Sequence, residues 1–212
     1  MRKVATGIST IFHPVFLPFM ACYWLINQNV IFLRDDLKPL ILQSIFIVGL
    51  AIPLISVFLL KQLGIVSSIR IPNVKERRIP YYITCSSYLL LGLFFRNSVY
   101  IPIELPIIFI SCAISVFILI YLIPITKASA HMACIGGITG ALYVFTVYLS
   151  YPLFIPIIIT FLISGIVGWS RLELKAHTPE QLLIGFIIGF TTQFLGFVFY
   201  NKINAVIDFM TP

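Results

Sequence analysis

The chain has 212 residues, of which 60% are hydrophobic and only 10% charged, with a mean hydropathy of +1.07. A soluble domain is about half apolar and about a quarter charged, so this composition excludes a water-soluble globular protein and requires lipid to cover the surplus apolar surface. The net charge of +7 does not indicate nucleic acid, because the basic residues fall mostly in short loops between apolar runs, where topology and anionic head groups account for them, and no aromatic-basic platform accompanies them.

A membrane-crossing helix needs roughly 17–25 apolar residues. Seven runs approach that length, near 9–33, 39–60, 80–95, 103–126, 130–150, 152–169 and 180–200. The charged tip and apolar stretch at the start resemble a signal peptide, but no small-x-small cleavage site follows. The first run is therefore expected to be a retained membrane anchor, kinked by Pro14 and Pro18 or beginning late. The third run is short. Residues 61–80 form the most charged loop, with five basic residues and one acid, Glu76. No repeat, low-complexity tract or long linker interrupts the chain. The expectation is an all-α polytopic transmembrane bundle of about six or seven helices, with residues 1–212 forming a single integral membrane domain. Glycines four apart, Gly136 with Gly140 and Gly185 with Gly189, predict close helix packing within that bundle. Cys22, Cys85, Cys112 and Cys134 lie inside apolar stretches without metal-ligand or CxxC spacing, which reads as neither a disulfide framework nor a metal site.

Charged and polar groups near a bilayer are costly and usually placed for function. They form three clusters: Lys75, Arg77 and Arg78; Lys127, Ser129 and His131; Ser170, Arg171, Glu173, Lys175 and His177. Two runs separate the first from the second, and two more separate the second from the third. An even number of crossings returns the chain to the same face, so all three are expected at one end of the bundle. Together they offer cations, two imidazoles, a hydroxyl and helix beginnings. Arginine forks and helix N-termini suit phosphate oxygens, and histidine serves as nucleophile or general acid near neutral pH. No carboxylate cage for a divalent metal is visible and no cofactor motif is present. The residues read as a metal-independent phosphate site with histidine chemistry.

These residues resemble the motifs of the type 2 phosphatidic acid phosphatase superfamily, KxxxxxxRP, PSGH and SRxxxxxHxxxD. The third motif is matched by Ser170-Arg171 and His177 at full spacing, and the second by Ala128-Ser129-Ala130-His131, which keeps Ser and His. The first is matched by Lys75-Glu76-Arg77-Arg78-Ile79-Pro80 at compressed spacing, and the resemblance covers roughly residues 70–195. It implies hydrolysis of a lipid phosphomonoester or diphosphate in a membrane, taken as the bacterial cytoplasmic membrane, through a phosphohistidine. His177 resembles the nucleophile and His131 the general acid. Lys75, Arg78 or Arg77, Arg171 and Ser129 would hold the phosphoryl oxygens, with backbone N–H groups near Ala130 and His131. The partners it implies are a lipid phosphate and membrane lipids. Where the family has Asp to hold the nucleophilic imidazole, this chain has Gln181, which can accept that hydrogen bond without supplying charge. The alternative is a catalytically silent lipid-phosphate binder; a small-solute transporter is a weaker third, because no inverted repeat is evident.

Blander readings apply to several of these residues. Thr178-Pro179-Glu180-Gln181 is a good helix start with a capping box, and Ser170 with Glu173 fits another. His13 has no companion motif and reads as structural or interfacial. Ten basic residues fall on the motif face (Arg2, Lys3, Lys61, Arg70, Lys75, Arg77, Arg78, Lys127, Arg171 and Lys175) against Arg34, Lys38, Arg96 and Lys202 on the other. That split points the motif face inward, whereas members of the resembled family commonly face outward.

Overall fold

A computed structural model describes residues 1–210 except Arg70 and Pro72, with side chains described through residue 200; Arg70 and the Lys202 side chain thus lie outside the described set. The described chain is all-helical. In chain order the helices are α1 (Arg2–Ile11), α2 (Leu17–Asn27), α3 (Lys38–Gln62), α4 (Arg78–Arg96), α5 (Glu104–Leu122), α6 (Ala130–Tyr148), α7 (Phe154–Glu173) and α8 (Pro179–Met210). A short 3₁₀ turn, Lys75–Arg77, leads into α4. Five helices are long and apolar enough to cross a membrane: α3, α5, α6, α7 and the Pro179–Tyr200 part of α8.

The expected first span, 9–33, is replaced by two short helices. Pro14 has no N–H to donate and a ring that clashes with the preceding turn, so α1 stops at Ile11 and the chain turns before restarting at Leu17, with Pro18 in the first turn of α2. The 11 residues of α2 rise only about 16 Å, half the roughly 30 Å hydrocarbon thickness. The helix instead inserts Cys22, Leu25 and Ile26 into the protein core. The third expected run becomes a continuous 19-residue helix, α4, as long as α5 but with more polar residues.

Proline also shapes α3. Its centre, Ile45–Ala51, is a π-helix directly before Pro53. The proline cannot bond to the carbonyl four residues back, and its ring pushes that turn open, so the bonding pattern widens there.

Burial orders the spans. In the apolar windows of α6 and α5, 61% and 56% of residues are buried, against 17% in α7, so α5 and α6 are central and α7 faces lipid. α4 enters from the motif end, and Phe95 lies near its far end. There Phe95 meets Phe109 edge-on at 5.9 Å, and Phe145 meets Phe197 at 5.2 Å. The largest aromatic core therefore sits at the end away from the charged clusters.

The glycine stripes lock α6 to α8. A Cβ on Gly136 would strike the Phe186 carbonyl; on Gly140 it would stand 2.6 Å from the Phe190 oxygen; on Gly185 it would strike Ser129, and on Gly189, Ala133. The partners advance together along both helices, so α6 and α8 are parallel and begin at the same end. Their backbones touch, as small residues at this spacing permit.

Candidate functional site

Ser129 opens α6. Its backbone is extended (φ −84°, ψ 114°), its hydroxyl accepts from Met132 N–H at 3.4 Å, and its own N–H donates to the Gln181 carbonyl at 3.0 Å. Ser129 is thus the N-cap its residue type favours and a bolt between α6 and the first turn of α8. The N–H groups of Ala130 and His131 find no acceptor among the described residues, as expected for an uncapped share of a helix start.

The chain reaches His177 through a sharp reversal at the end of α7. Lys175 adopts φ 51°, Ala176 N–H bonds to Arg171 O at 3.0 Å, and Lys175 N–H to Leu172 O at 2.8 Å. This is a Schellman closure with Lys where glycine is usual. It folds His177 back under the bundle, where only 8% of it stays exposed. His177 Nδ1 donates to the Lys127 carbonyl at 2.9 Å. A carbonyl can only accept, so Nδ1 carries the proton and, in the neutral ring, Nε2 carries the lone pair. Burial first, and then the positive charges of Arg171, Arg77 and Lys127, push the His177 pKa down to about 4, against the opposing pull of its bond to Lys127. The ring is neutral at pH 7.

Gln181 does not reach His177. Its Oε1 accepts from Thr178 N–H at 3.3 Å, and Thr178 Oγ1 accepts from Gln181 N–H at 3.5 Å. This is the reciprocal capping box of the blander reading. The Lys127 carbonyl takes the place next to His177 that the resemblance would give to the side chain at 181. Ser170 corrects the other expected cap. α7 runs on through Glu173, so Ser170 lies in a helix's last turns rather than at a start, and its hydroxyl donates to Ala5 O at 2.9 Å.

His131, in the first turn of α6, is also buried. Its Nε2 lies 3.1 Å from Ser9 O and 3.3 Å from Ser9 Oγ; the carbonyl partner again places the proton on that nitrogen. Arg171 Nη1 donates to Ser9 Oγ, while its buried Nε has no acceptor among the described residues. The His13 ring stands edge-on to His131 at 5.5 Å. All three histidines of the chain thus gather near Arg171. Ser9 and His13 were not assigned to the site from sequence: they precede the motif region, and no spacing ties them to it.

Of the first cluster, Arg77 joins this assembly and acts electrostatically on His177, Lys127 and Arg171. Its Nε donates to Ile71 O at 3.2 Å. Lys75 and Arg78 are exposed and stand outside it. Glu76 could have neutralised the cluster, but its carboxylate accepts from Ser67 N–H and Oγ, both at 2.8 Å, and from Asn73. Those bonds hold it below the usual carboxylate range. The ion pairs of the described residues, Arg34–Asp36 and Lys38–Asp35, lie at the other end of the bundle. Lys127 in turn is pushed down, by burial first and then by Arg77 and Arg171. The result is a cationic cluster at the ends of the spans, without a carboxylate partner among the described residues. An open depression beside it is lined by Leu172, Lys175, His177, Thr178 and Gln181.

No family model, curated protein or solved structure matches the chain.

Proposed function

We propose that the chain is a membrane-embedded phosphatase that hydrolyses a phosphomonoester or diphosphate head group of a lipid through a phosphohistidine on His177. The observation that carries this reading is a buried, neutral imidazole, fixed through Nδ1 to a backbone carbonyl and surrounded by Arg77, Lys127 and Arg171 with no carboxylate among the described residues to neutralise them. Such a cluster calls for an anion, and the fixed tautomer aims a lone pair on Nε2 at it. The resemblance to the type 2 phosphatidic acid phosphatases at Ser129, His131, Arg171 and His177 points the same way, and the membrane it suggests is the bacterial cytoplasmic membrane.

In this reading Nε2 of His177 attacks phosphorus, a P–N bond forms and the P–O bond to the lipid alkoxide breaks. His131, carrying a second ring proton once the phosphate anion is bound, passes its Nε2 proton to the departing oxygen and is left neutral. Water then attacks the phosphohistidine, His131 recovers a proton from it, and inorganic phosphate leaves. Arg171, Arg77 and the N–H groups opening α6 stabilise charge on the equatorial oxygens, the part of phosphoryl transfer that a protein can supply most directly. The Lys127 carbonyl keeps the tautomer through both steps but brings no negative charge to the imidazolium.

That last feature favours a second reading, a silent binder of lipid phosphates, since no carboxylate among the described residues meets His177 and Gln181 is engaged in its cap. Phosphate release from a panel of lipid phosphates by purified protein, with EDTA present, separates the two. Release that disappears in His177→Ala, with acid-labile labelling of the wild type by ³²P-substrate, is the result expected. Binding of those lipids without release or labelling would leave the silent binder.

A further inference from the structure

The N-terminal helix is tied to the cationic cluster by its backbone and one hydroxyl. Ser9 Oγ accepts from Arg171 Nη1, Ser9 O lies 3.1 Å from His131 Nε2, and one turn earlier Ala5 O accepts from Ser170 at 2.9 Å. Ala5 is fully buried and Ser9 nearly so, whereas Met1, Val4 and Ile11 on the outer side are 88%, 61% and 65% exposed. A ten-residue helix with Arg2 and Lys3 at its start and with Val4 and Ile11 exposed beside Thr10 has the make-up of one lying in the bilayer interface. Its inner side, however, presents two oxygens to the very donors a bound anion would need. One N–H of the Arg171 guanidinium and the His131 imidazole N–H are each answered by an oxygen of Ser9, while Arg171 Nε has no acceptor among the described residues.

We propose that Ser9 is the gating residue of the anion site, its oxygens standing in for those of a phosphoryl group until a ligand displaces them and α1 lifts from α7. The proposal rests on the phosphate-binding reading of the cluster and adds a competitor built into the chain. Lifting α1 exposes Ala5 and Ser9 and unpacks Ile8 and Phe12 from the core around Met132 and Val167, so the ligand's contacts with Arg171 and His131 must offset that loss of burial.

The probe is orthovanadate, an inorganic phosphate mimic, titrated calorimetrically into wild type, Ser9→Ala and Ser9→Asp in phosphatidylcholine nanodiscs. Removing the hydroxyl frees the Arg171 donor, and Ser9→Ala should bind vanadate about three- to tenfold more tightly, the range set by one competing hydrogen bond. Ser9→Asp puts a carboxylate in the same place and should weaken binding at least about tenfold through a charge-assisted pair with Arg171. Opposite signs are the signature of a competitor, since a mere structural prop would weaken binding in both variants. Equal affinities, or weakening in both, would overturn the gate while leaving the anion site. No binding by any of the three proteins would overturn the anion site and the gate together.

Discussion

Gly189→Ala tests whether the parallel α6–α8 pair sets the geometry of the site. An alanine methyl at position 189 would overlap the Ala133 carbonyl oxygen and stand 2.6 Å from its carbon and 2.7 Å from Gly137 N. Ordinary contacts between such atoms begin at about 3.5 Å, so relieving the overlap with the Ala133 oxygen requires the helices to part by about 2 Å at that point. A gap of that size forfeits more than about half of each dispersion contact it opens, and this interface runs from Ser129 and Gln181 to Phe145 and Phe197. Together with the usual overpacking penalty the cost should be about 2–4 kcal/mol. Gly165→Ala is the matched control: the same methyl there meets nothing within 4 Å, and it should be neutral or slightly stabilising through helix propensity. The four cysteines, all buried or half-buried, supply the assay, because a thiol-reactive fluorophore reports their exposure on heating in detergent. Gly189→Ala should unfold roughly 5–15 °C below Gly165→Ala. Melting temperatures within about 2 °C of each other would refute the backbone contact and, with it, the claim that glycine packing holds Ser129 against Gln181.

Two further outcomes follow from the electrostatics. Arg77→Ala should weaken orthovanadate binding about tenfold or more, while Lys75→Ala and Arg78→Ala stay within about threefold; the opposite ranking in the same calorimetric titration would put Arg78 in the site instead of Arg77. His177 also makes stability depend on pH. Its pKa is about 4 when folded and 6.5 as the ordinary value, so between those values the unfolded chain binds a proton that the folded chain does not. The neutral ring's contribution is complete above pH 6.5 and is lost as pH falls toward 4, by up to about 3 kcal/mol. The stability of wild type relative to His177→Gln should fall over that window, and a constant difference would contradict the burial of a neutral imidazole.

The parts of this fold that are legible in the sequence are those written in long-range composition. Apolar runs and charged breaks locate α3 and α5 to α8, because a bilayer reads hydropathy over some twenty residues. Parity of crossings puts Arg77, Lys127, Arg171 and His177 at one end for the same reason. What resisted reading depended on backbone. Lys127 holds His177 through its carbonyl, a group every residue carries, so no side chain announces it. The capping-box pattern at Ser170 and Glu173 is genuine as a pattern, but the preceding apolar helix continues through it, and tertiary contact with Ala5 decides where the hydroxyl points. At Thr178 and Gln181 the same pattern succeeds because Pro179 starts a new helix. The N-terminal segment misled because hydropathy alone passes over Pro14. Ser9 and His13 share no spacing with the motifs they meet, and the turn at Pro14 that folds them back onto the bundle is set by tertiary packing.

The backbone contact between α6 and α8 also bears on how the protein responds to the membrane around it. Bilayers differ in thickness by several ångströms, and helices accommodate the mismatch by tilting, at a fraction of a kcal/mol per ångström. α7, exposed along most of its length, can rock to follow a thinner or thicker bilayer. The pair that carries Ser129 and His131 on one side and Gln181 on the other tilts only as a unit, because carbonyls already touch Cα atoms along it. Distances between those residues are therefore insulated from lipid thickness, whereas Arg171, carried by α7, shifts against them as that helix rocks, so bilayer thickness acts on the site through its arginine.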